Sequence, residues 1–509
     1  MAYKRNFNNP IVMWLAMNGA LSPHCTISYE SADETKFTIH ISYPNQAFSV
    51  IIYVAGPGQI DWGDGTVTTT RASLRRYTHV YGSSGSGTVE RLITISGMTG
   101  FYFDTASYVD AVSILPTTMA SCTSGYRLLA GLATYEISIP ADFFKNAHAF
   151  TDLRNAFSGI YIAAIPAGLF DQLTNAANFS YCFSGMRHYG PNDGPTAVPP
   201  ISVPVDLFKY CTAATNFSYV FGSGARVTNV VTFKYNVNAT NFSNIYSQCS
   251  DITQLLPDMF TPFDGSDCRA TSFSGAFASS GITSIPSALF AKCSYATNFS
   301  NCFMDCKGLT AIPSGLFDGC TSATTFQGTF DQCSGITAIP AELFKYTVWA
   351  NNFYSCFAGT GITSIPEELF YWARPSNLGA CFADCTSLTS IPADLFNTMY
   401  PLQPYSVSYM FQGCTALRTV PATLFAPATN IVNFSGVFNG CTNLRTVDNN
   451  LFANNTYANN FSYAFENCSS LTVLPDLWNQ FPDASHDECF SGCTNASNYA
   501  AAVAAGWAT

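Results

Sequence analysis

The chain has 509 residues, of which 48% are hydrophobic, 15% aromatic and only 10% charged, with a formal net charge of −11. That balance excludes a disordered polymer, which shows few apolar residues and many charges. It also excludes nucleic acid as a partner, because neutralising phosphates requires clustered Lys and Arg, and the densest cations, Arg71, Arg75 and Arg76, share one short segment.

The first 28 residues carry two early cations and a short apolar run interrupted by Asn18 and Gly19, with Asn8-Asn9-Pro10 before it. Cys25 follows Pro23-His24, where a lipidation site would want small residues. Residues 1–28 are therefore expected to be an attachment arm that docks on a virion or cell-surface protein, and not a secretion signal. No stretch approaches the ~20 apolar residues of a membrane span.

Residues 29–99 are expected to form a small β-domain. Phe48–Thr70 predicts two strands around a turn, with Asp64-Gly65 as the turn signal. Further strands flank the Gly/Ser run that follows His79. The phrases "DWGDGT" (61–66) and "HVY" (79–81) resemble PKD-type domains, and that resemblance implies an immunoglobulin-like β-sandwich. Asp61 and Asp64 have two readings: calcium ligands, or braces that accept hydrogen bonds from nearby backbone N–H groups.

From about residue 100 to 494 the chain repeats itself. An apolar residue, two small polar residues, Ile-Pro, two more residues and Leu-Phe recur as "ITSIPSALF" (282–290), "LTAIPSGLF" (309–317), "ITAIPAELF" (336–344), "ITSIPEELF" (362–370) and "LTSIPADLF" (388–396). The second half of each unit often reads Asn-Phe-Ser, then an aromatic, two residues and Cys. Most steps are 25 to 29 residues, a period that signals a solenoid. About thirteen coils are expected, with short strands on their sides stacked at the strand spacing of about 4.8 Å. Ile285, Ile312, Ile339, Ile365 and Ile391 share one interior slot. The phrases "FADCTSLTSIPADLF" and "FQGCTALRTVPATLF" resemble BspA-type leucine-rich repeats, which implies a surface role in binding and adhesion. Residues 495–509 abandon the repeat for an alanine-rich stretch, expected to cap the last coil as a short helix.

Nineteen cysteines are present, and Cys249, Cys306, Cys333, Cys385, Cys414, Cys441, Cys468 and Cys493 share the slot aromatic-x-x-Cys. Residues in one slot point the same way, so a ladder of buried thiols is expected in place of disulfides. Cys-x3-Cys pairs at 302/306, 381/385 and 489/493 would each need two further ligands to hold zinc; no metal and no cofactor are expected. No phosphate loop and no His-Glu-x-x-His motif is present, and the six His are scattered. No catalytic residues are assigned, and a glycan-processing enzyme is the weakest of three functional readings.

Departures from the repeat are where binding is sought. One is the Gly/Pro-rich loop 186–200. The other is a run of rings after Phe344, Phe370 and Phe396: Tyr346, Trp349, Tyr371, Trp372, Tyr400 and Tyr405. These rings either pack over a wider coil or form an interaction patch; in the second case the ligand expected is a surface glycan or protein. The whole is read as a β-rich repeat protein: an arm, a PKD-like sandwich, a leucine-rich-repeat-like solenoid and a cap. Its expected role is non-enzymatic and adhesive, as a phage virion component (capsid or tail fibre, or decoration) at the virion surface. The rival is a bacterial cell-surface, extracellular adhesin; a homo-oligomer is compatible with either.

Overall fold

The computed structural model describes residues 15–16, 37–44, 48–82, 88–97, 100–106, 111–116, 122–130, 136–137, 139, 141, 143–144, 147–162, 164–186, 200–397 and 405–508. The chain divides into two compact units, Met1–Ile252 and Thr253–Thr509. Its described part is mostly non-helical, and the two larger sheets of its N-terminal region are antiparallel.

The first unit opens with β1 (Leu15–Ala16), which pairs antiparallel with β10 (Glu136–Ile137); β10 in turn pairs in parallel with β11 (Tyr161–Ile162). This part of the expected attachment arm is thus held by its own chain; the rest of the arm lies outside the described residues. Two antiparallel sheets follow. One contains β5 (Val67–Thr69), β4 (Gln59–Asp61), β7 (Thr88–Ser96), β2 (Phe37–Pro44) and β9 (Ala111–Pro116), in that order. The other contains β6 (Arg75–Tyr81), β3 (Phe48–Ala55) and β8 (Gly100–Ala106). Burial alternates along β3, with Ile52 and Val54 inside and Ile51 and Tyr53 part-exposed, the period-2 pattern of a strand. Ile60, Ile93 and Ile95 are the buried counterparts in the other sheet. The sheets run past the expected boundary at residue 99, because β8 and β9 supply edges to β3 and β2.

The repeats join by backbone hydrogen bonds. In the first unit, single parallel bridges link Ser124, Asp152, Asn178, Asn216 and Asn241 in succession. In the second they link Ser272, Asn298, Thr325, Asn352, Asn377, Ser406, Asn433, Asn460 and Ser485. The expected short strands do not form here. The reason is a left-handed residue three positions after each bridge and another at seven: Asn301 (φ 57°) and Asp305 (φ 57°) after Asn298, for example. These turn the chain before a second bridge can pair. Between them the N–H groups alternate. Those of Phe299, Asn301, Phe303 and Asp305 donate to the next repeat at 2.7–3.0 Å, while those of Cys302, Met304 and Cys306 donate three residues back in their own repeat. A left-handed non-glycine residue costs about 1–3 kcal/mol and persists only where its surroundings over-determine it; four inter-repeat bonds per turn do so. Where a ring of the preceding repeat leaves no room for a Cβ, glycine stands instead, as at Gly436 against Tyr409.

The Asn of Asn-Phe-Ser starts this turn. Its side-chain oxygen accepts the backbone N–H two residues on, from Ser180, Ser218, Ser243, Ser300, Ser435 and Ser462 at 2.9–3.0 Å. Ser272 and Thr325 make the same bond with their hydroxyls, as the chemistry of such turns allows.

Inside each unit the core is stacked rings. In the second unit Phe277, Phe303, Phe330, Phe357, Phe382, Phe411, Phe438, Phe465 and Phe490 form one column with centroids 5.5–5.8 Å apart. The five slot isoleucines are buried. At the C-terminus the helix α1 (Tyr499–Ala504) brings Trp507 beside the last repeat, and the Phe490 N–H donates to Trp507 O at 3.0 Å where other repeats would offer a following repeat.

Candidate binding face

Each Leu-Phe phrase anchors its Phe in the core, and the residues after it turn outward. Phe344 is buried, and the Thr347 N–H closes back on its carbonyl at 3.1 Å. Tyr346 is thereby left 47% exposed. The Lys345 ammonium sits 5.6 Å from its ring centroid and pairs with Glu342 at 2.9 Å. Trp349 is 55% exposed, and the Arg374 guanidinium of the next repeat lies 4.4 Å from its ring centroid. Tyr371 and Trp372 meet edge to face at 5.0 Å and are half-buried. Tyr405 is 64% exposed, its N–H bonded to Ser376 O. Tyr400 and most of the loop 186–200 lie outside the described residues.

Of the expected site residues, Tyr346, Trp349 and Tyr405 are thus exposed, while Tyr371 and Trp372 are half-buried. Trp349 gathers with Arg374, Tyr371 with Trp372, and Tyr346 with Lys345. Tyr346 and Trp372 share a slot, but Trp372 leans on Tyr371, half-buried. Other exposed rings were not singled out from the sequence: Tyr181, stacked at 4.4 Å on the half-buried Tyr219 in the left-handed position of adjacent repeats, and Tyr210 in the phrase Phe208-Lys209-Tyr210. The signal was available, since Phe-Lys-Tyr recurs at 233–235 and 344–346.

The thiols are internal. No disulfide occurs among the described residues, and all eighteen described cysteines are buried; Cys25 is outside them. Every slot thiol donates to a Phe carbonyl of the preceding repeat: Cys249 to Phe221, Cys306 to Phe277, Cys333 to Phe303, Cys385 to Phe357, Cys414 to Phe382, Cys441 to Phe411, Cys468 to Phe438 and Cys493 to Phe465, at 3.0–3.2 Å. Thr360 stands in the slot where Cys is missing and bonds the Cys385 thiol at 3.3 Å. Burial pushes the Cys306 and Cys385 thiols up to about 11 and those of Cys441 and Cys493 to about 12, so none of these four is poised as a thiolate nucleophile; the Cys268 thiol is instead held down, chiefly by its hydrogen bond with Cys293. Among the described residues no group of three His, Cys, Asp or Glu is placed to hold a metal ion.

The acidic turn of the N-terminal domain is braced from within. Asp61 accepts the Gly63 N–H at 2.9 Å; Asp64 accepts the Thr66 N–H and hydroxyl and pairs with His79 at 2.7 Å. His79 stacks on Trp62 at 4.8 Å, and Tyr81 donates its hydroxyl to Trp62 O. Burial acts to raise the Asp64 carboxyl, but the bonds from Thr66 and His79 outweigh it and hold the group down at about 2.

A scan against protein-family models finds no match, and no curated protein matches. Among solved structures, a crystal structure of a TLR13–ssRNA13 complex is similar at 11% identity over 70% of this chain and 75% of that chain, with a TM-score of 0.11. A likeness that low carries no argument about fold or ligand. Among the described residues no helix is long and apolar enough to cross a membrane.

Proposed function

We propose that this chain is a non-enzymatic adhesive surface protein, a leucine-rich-repeat-like solenoid behind a PKD-like sandwich. In this reading it serves as a phage virion component that projects its repeats for attachment. The observation that carries the proposal is the repeat's rigidity. Within the second unit each coil from Ser272 to Asn460 is tied to the next by four backbone bonds and stacked rings, so outward side chains such as Tyr346, Trp349 and Tyr405 keep fixed register. Aromatic rings held that way bind at low entropic cost.

The thiols favour the virion over the secreted adhesin. Eighteen buried, unbridged cysteines suit a chain that folds in a reducing cytoplasm before release by lysis, whereas export through an oxidising compartment invites bridging. Two measurements test the reading. Mass spectrometry of purified phage particles and of peptides shaved from intact cells of the producing culture tells virion from cell surface; finding the chain only in the shaved fraction reverses the assignment. Replacing Tyr346 and Trp372 together with Ala should weaken attachment to the target surface about tenfold or more if these rings are interface hot spots. Unchanged attachment removes the aromatic face from the proposal.

A further inference from the structure

In an acidic protein, cations without carboxylates stand out. Among the described residues the lysines of the second unit, Lys292, Lys307 and Lys345, each pair with an acid, at 4.0, 3.0 and 2.9 Å. Lys209 and Lys234 of the first unit pair with none. They occupy the same slot of consecutive coils, in the phrases Phe208-Lys209-Tyr210 and Phe233-Lys234-Tyr235. The buried Phe208 and Phe233 stack at 5.8 Å and set the register between the two coils. The Lys209 ammonium lies 5.2 Å from the Tyr210 ring centroid and 5.6 Å from that of Tyr235, and the Lys234 ammonium 5.1 Å from Tyr235. Asp206, three residues before Lys209, makes no ion pair with it but attracts its ammonium through space.

Rings hold both ammonium groups in place without neutralising them. A cation over a ring keeps its full charge and its N–H donors. Tyr210, 44% exposed, adds a flat apolar face with a hydroxyl at its tip. The result is two fixed positive charges, one per coil, beside an open ring.

We infer that Lys209, Tyr210, Lys234 and Tyr235 form a binding site for a carboxylated polysaccharide, with successive uronate residues meeting successive coils. Each sugar carboxylate accepts from one ammonium, and a pyranose face lies on Tyr210. Two charges are too few for a nucleic acid, whose affinity comes from many neutralised phosphates. An uncharged glycan would leave the two ammonium groups unused. The inference rests on the attachment reading above and names the class of ligand for it at a separate place on the chain.

The test uses the full chain and defined probes: a polygalacturonate oligosaccharide, a neutral galactan oligosaccharide of equal length and inorganic polyphosphate. Calorimetry should show binding of the uronate oligomer, weakened by salt, and none of the neutral one. Lys209→Gln and Lys234→Gln are surface changes that leave the core untouched. Each should weaken uronate binding about tenfold, the loss of one charge-assisted hydrogen bond. Tyr210→Ala should weaken it without changing its salt dependence. The double variant Tyr346→Ala/Trp372→Ala should bind the uronate like the parent. The inference falls if the parent ignores polygalacturonate, if the Lys variants bind it unchanged, or if polyphosphate binds as tightly at the same lysines. It falls alone if the parent still attaches to cells. Loss of all cell attachment by the parent, with uronate binding intact, instead overturns the attachment reading.

Discussion

Phe330 offers the sharpest test of what holds the second unit together. Its side chain is fully buried, stacked between Phe303 at 5.6 Å and Phe357 at 5.8 Å, with Phe317 tilted beside it at 6.4 Å. Replacing it with Ala removes the ring and leaves a cavity that fixed neighbours cannot fill, at a cost of about 3–5 kcal/mol. Replacing it with Leu is more informative. Leu keeps most of the apolar volume and loses the two stacked pairs, each contributing about 0.5–1.5 kcal/mol beyond area, so a loss of about 1–3 kcal/mol is expected. Repeat arrays depart from two-state unfolding, so a single global transition is the wrong measure. Hydrogen exchange across a urea series should be followed at the Phe303, Asp305, Phe330 and Gln332 amides, which carry the bonds between these coils. Protection should fall first there, and spread outward in the Ala variant. A Leu variant within about 0.5 kcal/mol of the parent, the range of neutral surface changes, would refute the reasoning: the column would then act as filler volume and not as stacked rings.

Three further outcomes are expected. A thiol count on denatured, non-reduced protein should find nearly all nineteen cysteines free, because those described are buried and the slot thiols donate to carbonyls; finding almost none means the coils are stapled. Asn298→Ala should cost about 1 kcal/mol through loss of the bond to the Ser300 N–H. Asn298→Asp, which keeps the acceptor, should recover most of it in the same exchange experiment. The Asp64 carboxyl is held at about 2 in the folded chain against about 3.9 when unfolded. The stability it contributes is therefore fully present above about pH 4 and lost as pH falls through 2. Melting of the N-terminal domain between pH 5 and 2 should show this slope, and Asp64→Asn should flatten it.

Much of this molecule was legible in its sequence because a repeat writes the same physics many times. The Ile-Pro phrase marked a buried row, since one slot recurring at a fixed step must meet the same neighbours, and Ile285 to Ile391 are buried accordingly. The aromatic-x-x-Cys slot announced thiols that could not bridge. "DWGDGT" and "HVY" marked an acidic turn whose Asp61 and Asp64 could be calcium ligands or braces, but not that Asp64 and His79 would meet within it across fifteen residues of sequence. Tertiary structure alone decided the rest. Whether the sides of a coil became strands depended on left-handed residues at two positions, and those are set by bonds to the next coil and not by local preference, as Tyr181, Tyr219, Tyr409 and Tyr463 show by adopting a conformation tyrosine disfavours. Exposure of the aromatic residues was undecided for the same reason. Trp349 and Trp372 read alike in sequence, yet one lies under the Arg374 of the following coil and the other folds against its own neighbour. A ring's outward or inward course is fixed by what the adjacent coil places beside it, and that neighbour is some 25 residues away in the chain.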